Sequence, residues 1–283
     1  MISVLILTRN EEQDLPGCLQ SVQWSDDITV LDSLSTDQTQ AIARQAGAHV
    51  VERAFDNWAS HQNWALRHLP FRHDWVLYLD ADERLTPDAA EEMQTLMRTA
   101  KEDNLAPVAY RLRRRDFFQG RHLRHVQTSP WYIRLFKPTA VHYERLVNPV
   151  TCVTGSVGHL TGYLDHYPFS KGLNHWFQRH NAYSSLEAQQ IINNRLKNER
   201  FSLQAAFFER DFHRRRVHQK ELFYRLPARP LFKFLLLYLL KRGFLDGQPG
   251  LIYAMLQAIY EQMIVLKVQE LEGTAALSRA PGP

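Results

Sequence analysis

Trp75-Val76-Leu77-Tyr78-Leu79-Asp80-Ala81-Asp82-Glu83 is the stretch whose reading decides the fold. An unbroken apolar and aromatic run reads as a strand buried on both faces, as in parallel sheets. It stops at Asp80. Two carboxylates separated by one small residue, Ala81, then sit on a tight turn and can face one cleft. A hard divalent cation such as Mg²⁺ or Mn²⁺ takes oxygen ligands and often only one or two from protein. A diphosphate would supply others, and the cation would neutralise charge on it as it leaves. Ala81 is read as letting the backbone approach such a ligand closely.

Working outward, Ile2–Leu7 reads as a first strand and Glu12–Val22 as a helix with Leu15, Leu19 and Val22 on one face. Ile28–Leu31 is a second strand, ending at Asp32. Ser35-Thr36-Asp37 supplies capping oxygens before a helix over Ala41–Ala46, which Gly47 stops. His49–Glu52 is a third strand, Trp58–Leu69 a helix, and Thr86-Pro87 opens another running to about Lys101. Strand and helix in alternation imply a mostly parallel sheet with helices on both faces, an α/β fold. Ligands of such sheets bind beyond the carboxyl ends of the strands. Three polar clusters fall there: Thr8-Arg9-Asn10-Glu11, Asp32–Asp37 and Asp80–Glu83. Asp32 is placed to accept from a base or a ribose hydroxyl. Asp37 suits either a ligand or the first turn of a helix.

Beyond Pro107 the pattern changes. Val108–Arg113 and Tyr132–Phe136 read as strands, Val141–Tyr167 as loops and short strands, and Ser170–Arg200 as one long helix. Arg111, Arg113, Arg114, Arg115, Arg121 and Arg124 form a basic cluster, either a clamp for an anion or a solvated edge strand. Thirteen histidines include no tight zinc pairing beside a glutamate. His159 and His166, in a glycine-rich stretch, are candidates to approach a diphosphate or cation. The two cysteines, Cys18 and Cys152, make no disulfide framework and read as reduced thiols.

The net charge of +4 conceals an asymmetry: residues 195–242 carry +9 and the remainder −5. That points to an anionic partner at one end. Leu231–Leu240 is too short to cross a bilayer, which takes about 20 residues. With Leu251–Val268 and the basic flank it reads as helices lying in a membrane interface, or as a hairpin packed on the domain or on a second subunit. The apolar run at the N-terminus is too short for a secretory signal, so a cytoplasmic location is expected, peripheral on the inner membrane.

The segments LILTRNEE, VLDSLSTDQT and LDADE resemble family 2 glycosyltransferases of the GT-A fold, whose strings are T-x-N-E, D-x-x-S-x-D-x-T and D-A-D-E. That likeness covers at least residues 1–140. RRDFFQGRHLRH, YIRLFKP, VHYERL and KRGFLDGQPGL look like the branch that builds lipopolysaccharide core and surface polysaccharides. The resemblance implies a Rossmann-like GT-A catalytic domain over 1–200, its nucleotide-sugar half being 1–105 and its acceptor half 106–200. A basic amphipathic helical region over 201–272 and a flexible tail over 273–283 follow. It implies inverting transfer from a nucleotide diphosphate sugar, UDP-linked by preference, to a glycan or lipid-linked acceptor. Thr8, Asn10, Glu11, Asp32 and Ser35 are then placed near the nucleotide, Asp80 near the ribose or sugar, and Asp82 on the metal. The family's Q-x-N-x-A-L helix matches Gln62-Asn63 with a shift. Inversion needs a base for the acceptor hydroxyl. Glu144 is the candidate, with Glu83 and Asp116 in reserve.

A nucleotidyltransferase would show a glycine-rich phosphate loop, which Thr8–Pro16 lacks. A membrane-associated nucleotide-sugar-binding protein without catalysis is the other alternative. An RNA-binding reading of 195–242 has Phe207, Phe208 and Phe212 but no recognised motif, so no nucleic-acid partner is expected. A homo-oligomer through the C-terminal helices is a further expectation.

Overall fold

The computed structural model describes residues 1–99, 106–127, 129–144, 150–196, 202–208, 215, 219, 222–224, 226 and 228–277. They fall into two compact units: 1–122 with 128–170, and 123–127 with 171–283.

The first unit is built on β1 (Ser3–Thr8), α1 (Leu15–Val22), β2 (Ile28–Asp32), α2 (Thr39–Gln45), β3 (His49–Glu52), α3 (Trp58–His68), β4 (Val76–Asp80), β5 (Glu83–Leu85), α4 (Pro87–Thr99), β6 (Ala109–Phe118), β7 (Arg121–His122), β8 (Trp131–Phe136), β9 (Val141–Glu144), β10 (Val150–Val153) and β11 (Val157–His166). The main sheet runs β3-β2-β1-β4-β8-β6-β11-β5, with β7 on β6. β3, β2, β1 and β4 are mutually parallel, and β6 and β11 are parallel to each other. β8 and β5 run antiparallel to their neighbours. The α/β, mostly parallel sheet expected from the sequence is present.

Strand alternation sorts the core. Val4 and Ile6 of β1 pack with Leu15, Cys18, Leu19, Ala43, Ala89 and Met93, from α1, α2 and α4. Leu5 and Leu7 face the other way, onto Ala59, Ala65 and Leu69 at α3. Both faces of the parallel part are therefore covered, which is why its strands read as continuous apolar runs.

Two irregularities matter for the site. Tyr110 of β6 pairs with Leu135 of β8, but Arg111 pairs with Ile133, so Arg134 is the extra residue of a β-bulge. β11 shifts register against β6 between His159 and Tyr163. Below that shift His166 stands beside Asp116 of β6 and Glu83 of β5.

The second unit contains α5 (Gly172–Leu196), α6 (Leu203–Phe208), α7 (Arg229–Leu235) and α8 (Gly247–Leu277). α8 packs on α5 and α7. Gly243–Gly273 is long and apolar enough, by length and composition, to cross a membrane. Within the unit, however, Arg229 and Glu261 form a buried ion pair in the middle of that helix. The expected tail begins inside α8, and 278–283 lies outside the described residues, as do Arg145 and Phe212.

Candidate active site

The strand-end loops build the site in three parts. At the ends of β1 and β2 the loops are zipped together. Asn10 has φ +55°, in the left-handed region that asparagine tolerates better than most residues. Its backbone N–H donates to Ser35 Oγ at 2.8 Å, and its Oδ1 accepts from Thr36 N at 2.8 Å. Glu11 N donates to Thr39 Oγ1 at 2.7 Å. Asp37 accepts from Thr39 N at 3.0 Å and Glu12 N at 3.2 Å, so it opens α2 and ties it to the first loop.

Asp32 is fully buried at the centre of this zip. Its carboxylate accepts from Thr8 Oγ1 (2.8 Å), Ser35 N (2.8 Å), Ser35 Oγ (2.5 Å) and Gln40 Nε2 (2.8 Å). A carboxylate offers about four lone-pair sites. The protein's own donors occupy them here, so Asp32 orders the rim at which the sequence reading sets the nucleotide. Gln40 had no place in the sequence reading.

The second part is Asp80–Glu83. β1 lies between β2 and β4, so Asp32 and Asp80 end strands roughly 10 Å apart. Asp80 accepts from Tyr78 OH at 2.6 Å and from Arg134 Nη2 at 2.8 Å. Tyr78 in turn accepts from Gln62 Nε2 at 3.1 Å. Burial pushes the Tyr78 hydroxyl well up, keeping it a neutral donor. Arg134 also holds Glu83 at 2.5 Å, and Glu83 Oε2 accepts from Asp80 N at 3.0 Å. Glu83 is fully buried. Burial raises its carboxyl above the usual range while Arg134 opposes the rise. With both oxygens occupied it is a brace and not a free base. Ala81 lies in the apolar cluster with Leu85 and Ala89. Its small side chain packs there.

The third part is a relay across three strands. Asp82 Oδ2 stands 3.2 Å from His166 Nε2, and His166 Nδ1 stands 2.5 Å from Asp116 Oδ1. Arg114 Nε lies 3.2 Å from Asp116. Tyr167 N donates to Asp82 O at 2.9 Å, latching the turn to the end of β11. Burial opposes charge on His166, but Asp82 and Asp116 outweigh it and push the imidazole up to about 9. A carboxylate behind a histidine, with a second carboxylate before it, is a familiar arrangement for a metal-binding imidazole. On losing its Nε2 proton to solvent, His166 would join Asp82 in offering one nitrogen and one oxygen donor to Mg²⁺ or Mn²⁺, whose remaining ligands come from phosphate or water. The residues present fit such a cation. Of the histidines, His166 and not His159 occupies this place; His159 lies edge-on to Trp131.

Two expected members stand apart. Asn63 donates to Tyr143 O and accepts from Tyr143 N, both at 2.8 Å, so it clamps β9 to α3 and does not face the nucleotide rim. Glu144 pairs with His142 at 3.2 Å, with 63% of its side chain exposed. Tyr143, on the other face of β9, is the residue that packs against Tyr78, ring centroids 6.4 Å apart. Asp116 is buried and engaged by His166 and Arg114, so it is no free base either. Arg134 was missed because its importance comes from the bulge. The arginines of β6 are not on a sheet edge: Arg115 bonds Asp165 of β11 at 2.6 Å, and Arg113 stacks on Trp131.

Known proteins agree with this layout. Residues 3–162 match the profile of glycosyl transferase family 2. A glycosyltransferase of Rickettsia typhi is 23% identical over 274 residues, covering 95% of this chain and 87% of its own. The lipopolysaccharide core biosynthesis glycosyltransferase LpsC of Rhizobium meliloti is 25% identical over 283 residues, covering 95% of this chain and 92% of its own. Glucosyl-3-phosphoglycerate synthase from Mycobacterium tuberculosis, solved with uridine diphosphate, has a TM-score of 0.32 at 23% identity. That match spans 43% of this chain and 45% of the synthase, and a likeness so low carries nothing about ligands. With the family profile spanning more than half its length, the chain belongs to glycosyl transferase family 2.

Proposed function

We propose that the protein transfers a sugar, with inversion, from a nucleotide diphosphate sugar to a lipid-linked or lipopolysaccharide-type acceptor. The observation that carries this is the Asp82–His166–Asp116 relay at the carboxyl ends of strands whose neighbours carry the Asn10 and Asp32 loops. The zipped rim of Thr8, Asn10, Glu11 and Ser35 binds the nucleotide, with UDP the first to try. Asp80, held by Tyr78 and Arg134, orients the ribose or sugar. Asp82 and His166 hold a divalent cation, which when bound offsets the charge of the departing diphosphate. Asp116 keeps the His166 ring turned towards Asp82. Glu144 takes the acceptor proton, because Glu83 and Asp116 are committed to arginines while its oxygens are accessible. The likeness to LpsC supports a lipopolysaccharide or polysaccharide acceptor.

A lipid-linked acceptor fits the second unit. Leu231, Phe232, Leu239, Leu240, Phe244 and Leu245 are exposed there, beside Lys233, Lys241 and Arg242. Apolar groups flanked by cations suit an anionic membrane surface, on the cytoplasmic face.

Release of nucleoside diphosphate from a panel of donors, with and without Mg²⁺ or Mn²⁺, tests the transfer. Metal-dependent release lost in Asp82→Ala is expected; no donor hydrolysed and none bound sinks the proposal. Glu144→Gln should abolish transfer while leaving donor binding intact. Flotation with anionic liposomes tests the membrane surface, and self-association without flotation would point to a second subunit instead.

A further inference from the structure

The hairpin of β9 and β10 carries a cluster of which the transfer reaction uses Glu144 alone; His142 and Cys152 have no part in it. In its antiparallel register Cys152 sits opposite His142, and Val150 opposite Glu144. Opposed residues and residues two apart on a strand share a face. His142, Glu144 and Cys152 therefore all project from one side, the side away from Tyr143. One ligand atom from each lies within 4.8 Å of the others. His142 Nε2 and Glu144 Oε1 are 3.2 Å apart. Two such ligands about 2.1 Å from a tetrahedral centre would stand about 3.4 Å apart, and a sulfur about 3.6 Å from either.

We propose that this face binds a borderline-soft transition metal ion of the Zn²⁺ class through His142, Glu144 and Cys152. The ligand chemistry separates it from the Asp82–His166 pair. Thiolate and imidazole together favour Zn²⁺ or Co²⁺, whereas an oxygen-rich set completed by phosphate favours Mg²⁺ or Mn²⁺. Binding replaces three waters of the aquated ion by three side chains and releases the Cys152 thiol proton to solvent. A fourth position stays with water. The inference does not depend on Glu144 being the base, since the readout is the metal and not turnover.

Co²⁺ alone is titrated into the full chain and the thiolate-to-cobalt charge-transfer band recorded. Cys18 is fully buried, so the band reports Cys152. One equivalent should bind. Cys152→Ser should abolish the band. His142→Ala and Glu144→Gln should each weaken affinity at least about tenfold, a loss already typical of removing a group that only orients a ligand. Asp82→Ala should leave the titration unchanged, and Zn²⁺ should shield Cys152 from a thiol reagent. No band, a band that survives Cys152→Ser, or an affinity indifferent to His142→Ala overturns the proposal.

Discussion

Replacing Arg134 by methionine tests what holds the Asp80–Glu83 turn in place. Arg134 is buried, and its Nη2 contacts Asp80 at 2.8 Å and Glu83 at 2.5 Å. Methionine fills much of the same volume without the charge. Glu83, fully buried, then keeps only the weaker support of His166 and of Arg114, the latter at 3.8 Å, among the described residues. Removing one partner of a buried pair costs roughly 3–5 kcal/mol, because the other charge is stranded. At about 2–4 °C per kcal/mol for a domain this size, the melting temperature should fall by roughly 6–20 °C. Two further readouts separate this cause from lost packing. Without Arg134 the Glu83 carboxyl should titrate even higher, so the native state keeps a proton that the unfolded chain has released. A folded pKa above the unfolded one gives stability at low pH that is lost as pH rises through the folded value. The deficit of Arg134→Met should therefore shrink on acidification. Adding Glu83→Gln should recover part of the loss. Urea or thermal melts at several pH values, with the double-mutant cycle, measure all three. A deficit below about 1 kcal/mol, or one that adds to that of Glu83→Gln without coupling, would refute the argument that a stranded charge decides this site.

Asp116→Asn should keep the contact with His166 but weaken its electrostatic support, lowering Mn²⁺ affinity on the order of 10–100-fold; calorimetric metal titration at a temperature well below the variant's melting point reads it. His180 stacks on Trp176 at 3.7 Å and is held at about 4 by burial, against a hydrogen bond to the Trp176 carbonyl. Its folded pKa lies below the unfolded value of about 6.5, so its share of stability is present above that pH and lost as pH falls towards 4. Melts between pH 7 and 4.5 should show a drop that His180→Phe flattens. Gly162→Ala would set a Cβ 2.4 Å from Ala89 Cβ and 2.5 Å from its Cα. With helix backbone on the other side, the overpacking should cost about 1–3 kcal/mol, read by denaturant melts.

The parallel strands were legible because burial on both faces leaves no alternation to misread, and their ends then located the acids. β11 was not legible as one strand. Its Gly158 and Gly162 read as loop residues, yet each is where a neighbour comes close, Tyr110 against the first and Ala89 against the second. The Arg114–Asp116 run read equally as a solvated edge. It pairs with β11, and its charges are spent on Glu83, Asp165 and His166. Residue type alone identified Asp32 as important but not how. Four donors from β1, the loop after β2 and α2 converge on it, and sequence spacing does not reveal whether a carboxylate's lone pairs are already taken. Asn63 shows the converse, a polar helix residue whose partners are a backbone 80 positions away.

The register shift in β11 has a consequence for how this chain tolerates change. Above it, Val157–His159 are aligned with Ala109–Arg111; below it, Tyr163–His166 follow a separate alignment that puts His166 beside Asp116 and Glu83. A strand slipped by one residue turns every side chain to the opposite face. Because the break already separates the two alignments, an insertion or deletion ahead of it can be absorbed there, as slack in a coupling. One residue gained or lost after Tyr163 has no such outlet and would carry His166 to the wrong side of the sheet. Length variation can thus accumulate on one side of residues 160–162 and be refused on the other, although the two sides belong to a single strand.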